Sequence, residues 1–346
     1  MKSPIILILF LCSVVAAVAN QISASLHQAV GTHILRIVEA GQRAQIVSIP
    51  FLKPSVARGR LNGVDLETQQ LQVNAGTLST AAPNAALILR ITSGINAGAW
   101  FILDITSSNS ESSIAVKDNG LAGAIEDLQG DESFAIHELF QLSELFPEDG
   151  SLCPAAPIDQ KATQVHFFDG REFNKYWLSN GSITAHSGWT VADRGMLNYA
   201  GNTAILPGTS FLIVSPASIE PIDIRLHGTV VSQQLKIPLY PGYNFVSTVY
   251  TLPQNGPEDD LYNLNHIGLQ ESGFRPSSNG TNADLVLSFD PTSGKFGQSF
   301  YLDVNDNQFH PTSQNSNNES VLTTAPGSGF VILNRGDTYL WGRHSQ

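Results

Sequence analysis

Three blocks of this sequence occur twice, in the same order. Phe140-Gln-Leu142-Ser-Glu-Leu145 returns as Tyr262-Asn-Leu264-Asn-His-Ile267, and Val165-His-Phe-Phe-Asp169 returns as Val286-Leu-Ser-Phe-Asp290. Pro207-Gly-Thr-Ser-Phe211-Leu-Ile-Val214 returns as Pro326-Gly-Ser-Gly-Phe330-Val-Ile-Leu333. The offsets are about 122, 121 and 119 residues. Shared order at nearly one spacing predicts an internal duplication of about 120 residues, so the two halves of the C-terminal region should build the same unit.

The unit reads as β-structure. Only 14% of the residues are charged, well below an ordinary soluble domain, which argues against solvated helices and coiled coils. Gly 29 and Pro 18 punctuate short runs of β-branched and aromatic residues. Strands are expected at Gln45–Phe51, Ala86–Thr92, Ala99–Ile105, Ser113–Lys117, Ser133–His137, Thr163–Phe168, Phe211–Val214, Gly242–Val249, Leu285–Phe289 and Gly329–Leu333. Ser93-Gly-Ile-Asn-Ala-Gly98 reads as a hairpin connection, and Asp169-Gly170 and Asp290-Pro-Thr-Ser-Gly294 as hairpin turns. The apolar spacing of Val30, Ile34, Ile37 and Val38 fits either a strand or a helix. Pro257-Glu-Asp-Asp260, followed by Leu261, Leu264 and Ile267, predicts one short helix with proline and carboxylates at its positive end.

The fold expected is therefore all-β, in barrel- or sandwich-like modules with few short helices. The organisation expected is a signal peptide at 1–19, an N-terminal β module at 20–139, a first repeat unit at 140–230 and a second at 231–346. Lys236-Ile-Pro-Leu239 echoes Ser48-Ile-Pro-Phe51. On that echo the first unit begins near residue 45 and carries about 75 extra residues as an inserted β-module.

The start of the chain reads as an export signal. Met1-Lys2-Ser3 precedes an apolar run from Ile5 to Val15, and Ala17-Val18-Ala19 follows. That run is too short to span a bilayer, and Gly, Pro or polar residues interrupt every later apolar stretch, so no membrane span is expected after signal removal. The mature chain should be periplasmic, cell-surface or secreted, with Cys153 as its one cysteine. Leu152-Cys-Pro154 has no basic neighbour to activate the thiol, which reads as a small buried apolar side chain. Asp+Glu 30 against Lys+Arg 18 gives a net charge of −12, which repels a phosphate backbone and excludes nucleic acid as a partner.

The blocks resemble a family of uncharacterised bacterial exported β-rich proteins. The resemblance rests on Ile91-Thr-Ser-Gly-Ile-Asn-Ala-Gly98, on Leu142-Ser-Glu-Leu-Phe-Pro147, on the strand ends at Asp169 and Asp290, and on the two Pro-Gly-x-x-Phe blocks. It covers most of the mature chain, although the second unit lacks a tryptophan matching Trp189. It implies export and an all-β fold, and brings with it no activity, cofactor or catalytic residue.

Motifs that carry chemistry are few. There is no G-x-S-x-G elbow, phosphate-binding glycine loop or H-x-x-x-H pair, and Ser328 matches Thr209 in a turn used twice. Glu258-Asp259-Asp260 fits a helix start better than an acid–base pair facing across a cleft. Asp303, Asn305 and Asn307 space their oxygens like the start of a calcium loop, but Gln308 stands where the loop needs glycine and Gln314 where it needs Glu. They are a calcium candidate set beside the simpler reading of a hairpin turn. Trp177, Trp189, Tyr176 and Trp341 are candidate ligand-binding rings on a sugar-stacking platform, against the alternative that they pack the sheet core.

The expected function is a non-catalytic extracytoplasmic β-protein with a binding or structural role at the envelope or outside the cell. It requires no cofactor, and its partner is an envelope or extracellular polysaccharide or protein. The alternative is a secreted hydrolase acting on carbohydrate, with two facing carboxylates and exposed tryptophans in a cleft.

Overall fold

A computed structural model describes residues 30–37, 44–74, 77, 85–105, 112–117, 125–150, 153–184, 186–193, 196–215, 222–231, 235–249, 267–290, 294–313 and 327–342. The signal peptide expected at 1–19 and most of the short helix expected after Pro257 lie outside the described residues.

The chain begins with β1 (Val30–Ile37) and β2 (Ala44–Ser48). It then builds seven short strands: β3 (Ser55–Arg60), β4 (Gly63–Asp65), β5 (Gln70–Gln72), β6 (Leu87–Ile91), β7 (Trp100–Asp104), β8 (Ser113–Val116) and β9 (Ser133–Glu138). These form one antiparallel sheet in the order β3-β9-β6-β7-β8-β5-β4. Next come β10 (Phe140–Gln141), α1 (Leu142–Leu145), β11 (Gln164–Phe168), β12 (Phe173–Asn180), β13 (Ser187–Asp193), β14 (Met196–Tyr199), β15 (Ala204–Ile205), β16 (Ser210–Val214) and β17 (Ile222–Thr229). The last segment holds β18 (Ile237–Leu239), β19 (Gly242–Val246), β20 (Leu285–Asp290), β21 (Lys295–Leu302), β22 (Phe309–Pro311), β23 (Phe330–Asn334) and β24 (Tyr339–Trp341). The fold is all-β, and the Val30–Ile37 segment resolves as a strand. No helix among the described residues is long and apolar enough to cross a membrane.

The sheet built around 164–214 runs β14-β13-β12-β11-β16-β2, and the one built around 242–334 runs β22-β21-β20-β23-β19. Strand for strand, the connectivity is the same, with β14 as the one addition. The registers agree too: Val165 faces Ile213 as Val286 faces Ile332, and Val47 faces Phe211 as Val246 faces Phe330. Each sheet is covered on its outer face by a two-stranded ribbon, β1–β17 on the first and β18–β24 on the second.

The inner faces of the two sheets meet in a shared layer. Ile46, Phe168 and Leu212 of the first pack against Phe245, Phe289 and Val331 of the second, with Leu287 beside them. By the pairing registers these are matched positions. The backbone contacts are matched as well: Val47 bridges Ser328, and Val246 bridges Thr209. The result is sandwich-like, with apolar layers inside and outside each sheet.

Two expected boundaries change. β1 and β2 pair with β17 and β16, so residues 30–48 belong to the first unit's sheets rather than to a separate module over 20–139. The seven-stranded sheet alone is inserted, between β2 and β10. The echo of Ser48-Ile-Pro-Phe51 in Lys236-Ile-Pro-Leu239 does not mark equivalent strands. The registers match Ser48 with Ser247, and Ile237–Leu239 is a ribbon strand paired with Tyr339–Trp341.

Candidate functional site

The candidate rings do not gather in one groove. Trp189 is fully buried in the first unit's core, its indole N–H donating to the Phe146 carbonyl at 2.8 Å with the Phe146 ring edge-on to it. Trp341 is fully buried in the second unit's core, donates to the Ile267 carbonyl at 2.8 Å, and packs edge-on against Phe330. Trp177 is buried between Ala156 and Ala162. Tyr176 is half-buried, edge-on to Phe167 at 5.5 Å. The three tryptophans are buried, which is the core-packing alternative weighed for them against a sugar-stacking platform. The match missing for Trp189 is supplied from another strand. Trp341, on β24, holds the chain at Ile267 as Trp189, on β13, holds the end of α1.

Asp303, Asn305 and Asn307 build a hairpin turn. Asp303 Oδ1 accepts the backbone N–H of Asn305 at 2.8 Å and its side-chain amide at 2.7 Å. The Asn307 N–H donates to the Asp303 carbonyl at 3.0 Å, and Asn307 adopts φ of 57°. The Asn305 amide thus turns its nitrogen, not its oxygen, to the carboxylate, which suits turn closure rather than cation binding. Cys153 is buried, and burial pushes its thiol up to about 11.

What the fold does bring together is a row of phenylalanines where the two sheets meet. In the β11–β12 hairpin, Asp169 Oδ1 accepts the N–H groups of Arg171 and Glu172 at 2.9 and 3.0 Å, and Gly170 takes φ of 96°. Those bonds, first the one from Glu172, hold the Asp169 carboxyl below its usual range. The tight turn sets Phe168 opposite Phe173. In the β20–β21 hairpin the Gly294 N–H donates to the Asp290 carbonyl at 2.9 Å with φ of 66° at Gly294, and Phe289 sits opposite Phe296.

Phe245 of β19 stands between the two hairpins. Its ring centroid lies 5.3 Å from Phe168, 5.1 Å from Phe173 and 6.2 Å from Phe296. Phe289 closes on Phe296 at 5.9 Å, and Tyr243 lies parallel to Phe296, 7° between planes at 6.5 Å. Phe245 is buried, but Phe173, Phe296 and Tyr243 are 40, 46 and 47% exposed. His166 borders the row, 6.2 Å from the Phe173 ring, and its Nε2–H donates to Gln164 Oε1 at 2.9 Å. Burial lowers its pKa, which favours the neutral imidazole.

Phe173 and Phe296 are not among the candidate rings taken from the sequence, which are Trp177, Trp189, Trp341 and Tyr176. The signal was present, since a Phe-Asp turn returning to phenylalanine occurs once in each unit. Tyr243 and Phe245 break the symmetry, for their matched positions in β2 are Ala44 and Ile46. Rings therefore accumulate on the second unit's side of the junction. No family model, curated protein or solved structure matches the chain, so this aromatic row rests on its own geometry.

Proposed function

We propose that this chain is an exported, non-catalytic binding protein of the cell envelope or exterior, and that the row Phe173–Phe245–Phe296–Tyr243 is its binding face for polysaccharide. The observation that carries this reading is the exposure of three large rings side by side, held by tight turns. Large apolar side chains left together in water are disfavoured, and such patches mark interaction surfaces. Flat apolar ring faces beside a polar hairpin turn, in which the Asn174 side-chain amide donates to Asp169, suit sugar rings, which have apolar faces and hydroxylated rims. The basic start, apolar run and Ala-x-Ala end of residues 1–19 support export.

The two units are copies of one building block, fused in the arrangement of a twofold dimer. Shared strand order, shared registers and matched contacts across the junction support that reading, since a twofold interface makes every contact twice.

Binding of the purified chain to a panel of soluble and insoluble polysaccharides tests the assignment. The variant F173S/Y243S/F296S should keep the circular dichroism and unfolding midpoint of the parent and lose binding at least tenfold, about 1.4 kcal/mol. Undiminished binding by that variant would overturn the site. Turnover of polysaccharide, ester or peptide by the parent would overturn the non-catalytic role.

A further inference from the structure

The seven-stranded sheet buries Leu89, Ile91, Phe134 and Ile136 on one face. On the other, its pairings set Arg58, Ala135 and Arg90 in one cross-strand row, with His137 next along β9 and diagonal to Arg90. Ala135 is short, so the space above it is left to the two guanidinium groups. Arg90 is only 7% exposed and His137 is fully buried. Among the described residues no carboxylate pairs with Arg90, and its Nε has no hydrogen-bond acceptor. His137 Nδ1–H donates to the Lys53 carbonyl at 2.7 Å, which leaves the Nε2 lone pair buried and without a partner.

Burial and the nearby Arg58 push Arg90 down to about 10, so it stays charged at neutral pH. A buried cation beside another cation, with no counter-charge, is strongly disfavoured. The site thus presents an N–H donor with positive charge and, next to it, a hydrogen-bond acceptor. Arg58, exposed and with its Nε donating to Ser55 Oγ at 2.9 Å, adds to the positive field at the edge.

We propose that Arg90 and His137 form a binding site for a small oxyanion that carries a hydroxyl, hydrogen phosphate or a phosphate monoester. Its charged oxygens accept from Arg90, and its O–H donates to His137 Nε2. Sulfate has the charge but no O–H at neutral pH, so it satisfies only half of the site. This proposal stands apart from the aromatic row, which lies on other sheets.

The test is thermal unfolding and calorimetric titration of the full chain with inorganic phosphate, sodium sulfate or a sugar monophosphate, at constant ionic strength. Phosphate should raise the unfolding midpoint saturably and bind at least fivefold tighter than sulfate. Tighter binding of the sugar monophosphate than of phosphate assigns the anion to a sugar-borne group, and the reverse assigns it to the free ion. Arg90→Met removes the buried charge while keeping an apolar stem and should abolish the phosphate effect. Arg90→Lys, which keeps the charge but not the guanidinium fork, should weaken it at least fivefold and serves if the methionine variant does not fold. Equal effects of phosphate and sulfate, no saturable effect in the parent, or an undiminished effect in the folded Arg90 variant would each overturn the proposal.

Discussion

The backbone N–H of Ser48 donates to the carbonyl of Gly327 at 3.0 Å, and its counterpart Ser247 donates to Gly208 at 2.9 Å. Each bond ties an edge strand of one unit to the proline-glycine turn of the other. Each turn glycine also lies against the other unit's ribbon, Gly208 on Ile237 and Gly327 on His33.

Substitution at these glycines should therefore act alike. Both have positive φ, 73° and 80°, and a methyl group would come within 2.4 Å of Ile237 or 2.2 Å of His33. Gly208→Ala and Gly327→Ala should each lower unfolding free energy by about 1–3 kcal/mol in urea titrations, from backbone strain and overpacking together. Gly242→Ala is the comparison: φ is 99° but nothing lies within 4 Å of the added methyl, so its loss should be smaller. Equal losses at all three positions would show that the inter-unit contact adds nothing.

The buried tryptophans separate by their indole nitrogens. Trp189→Phe and Trp341→Phe each remove a hydrogen bond and leave a carbonyl without its donor, at about 2–4 kcal/mol including the lost volume. The Trp177 indole nitrogen has no partner, so Trp177→Phe should cost about 1 kcal/mol or less. Denaturant unfolding monitored by far-ultraviolet circular dichroism ranks the three, and a Trp177 loss as large as the others would contradict the assignment.

His137 should make the fold acid-sensitive in buffers free of oxyanions. Burial is the main cause of its depressed pKa; the positive charges of Arg90 and Arg58 add to it, and the Lys53 carbonyl opposes it, leaving about 4. The unfolded chain takes up the proton near pH 6.5 and the folded chain only near 4. Stability is thus fully present above pH 6.5 and is lost as pH falls to about 4, by roughly 3 kcal/mol. Urea midpoints from pH 4 to 7 should show this slope, and His137→Leu should flatten it.

Cys153 should be unreactive in the folded chain. A buried thiol with its pKa pushed up to about 11 has little thiolate at pH 8. Labelling by a chromogenic disulfide reagent should become fast only in denaturant. Rapid labelling of the native chain would place Cys153 in an accessible pocket instead.

Ala86–Thr92 and Ala99–Ile105 were legible in the sequence because each is a short apolar run rich in β-branched and aromatic residues bounded by turn residues, as suits strands covered on both faces. Ser55–Arg60 was not, because an edge strand carrying Arg58 and Arg60 has no apolar period to see. The strands Leu285–Asp290 and Phe330–Asn334 could be anticipated from Val286-Leu-Ser-Phe-Asp290 and Pro326-Gly-Ser-Gly-Phe330, but not their order in the sheet. The positions of β2 and β19 could not, since Ala44–Ser48 and Tyr243–Ser247 share little sequence and are matched only by their partners' registers. Tryptophans drew attention as candidate ligand rings, yet their size is what makes them valuable inside. Two of the three exposed rings, Phe173 and Phe296, are phenylalanines beside Asp-Gly and Asp-Pro turns, where turn geometry rather than composition decides which side faces water.

Ser55 lies opposite His137, so the seven-stranded sheet enters and leaves the chain through two neighbouring strands, about 5 Å apart. A guest joined to its host at a single doorway places little demand on the host's own connections. Bridging Pro54 to Leu139 leaves every strand pairing of the two matched sheets intact, and a different guest fitted to the same doorway would give the same chassis another cargo.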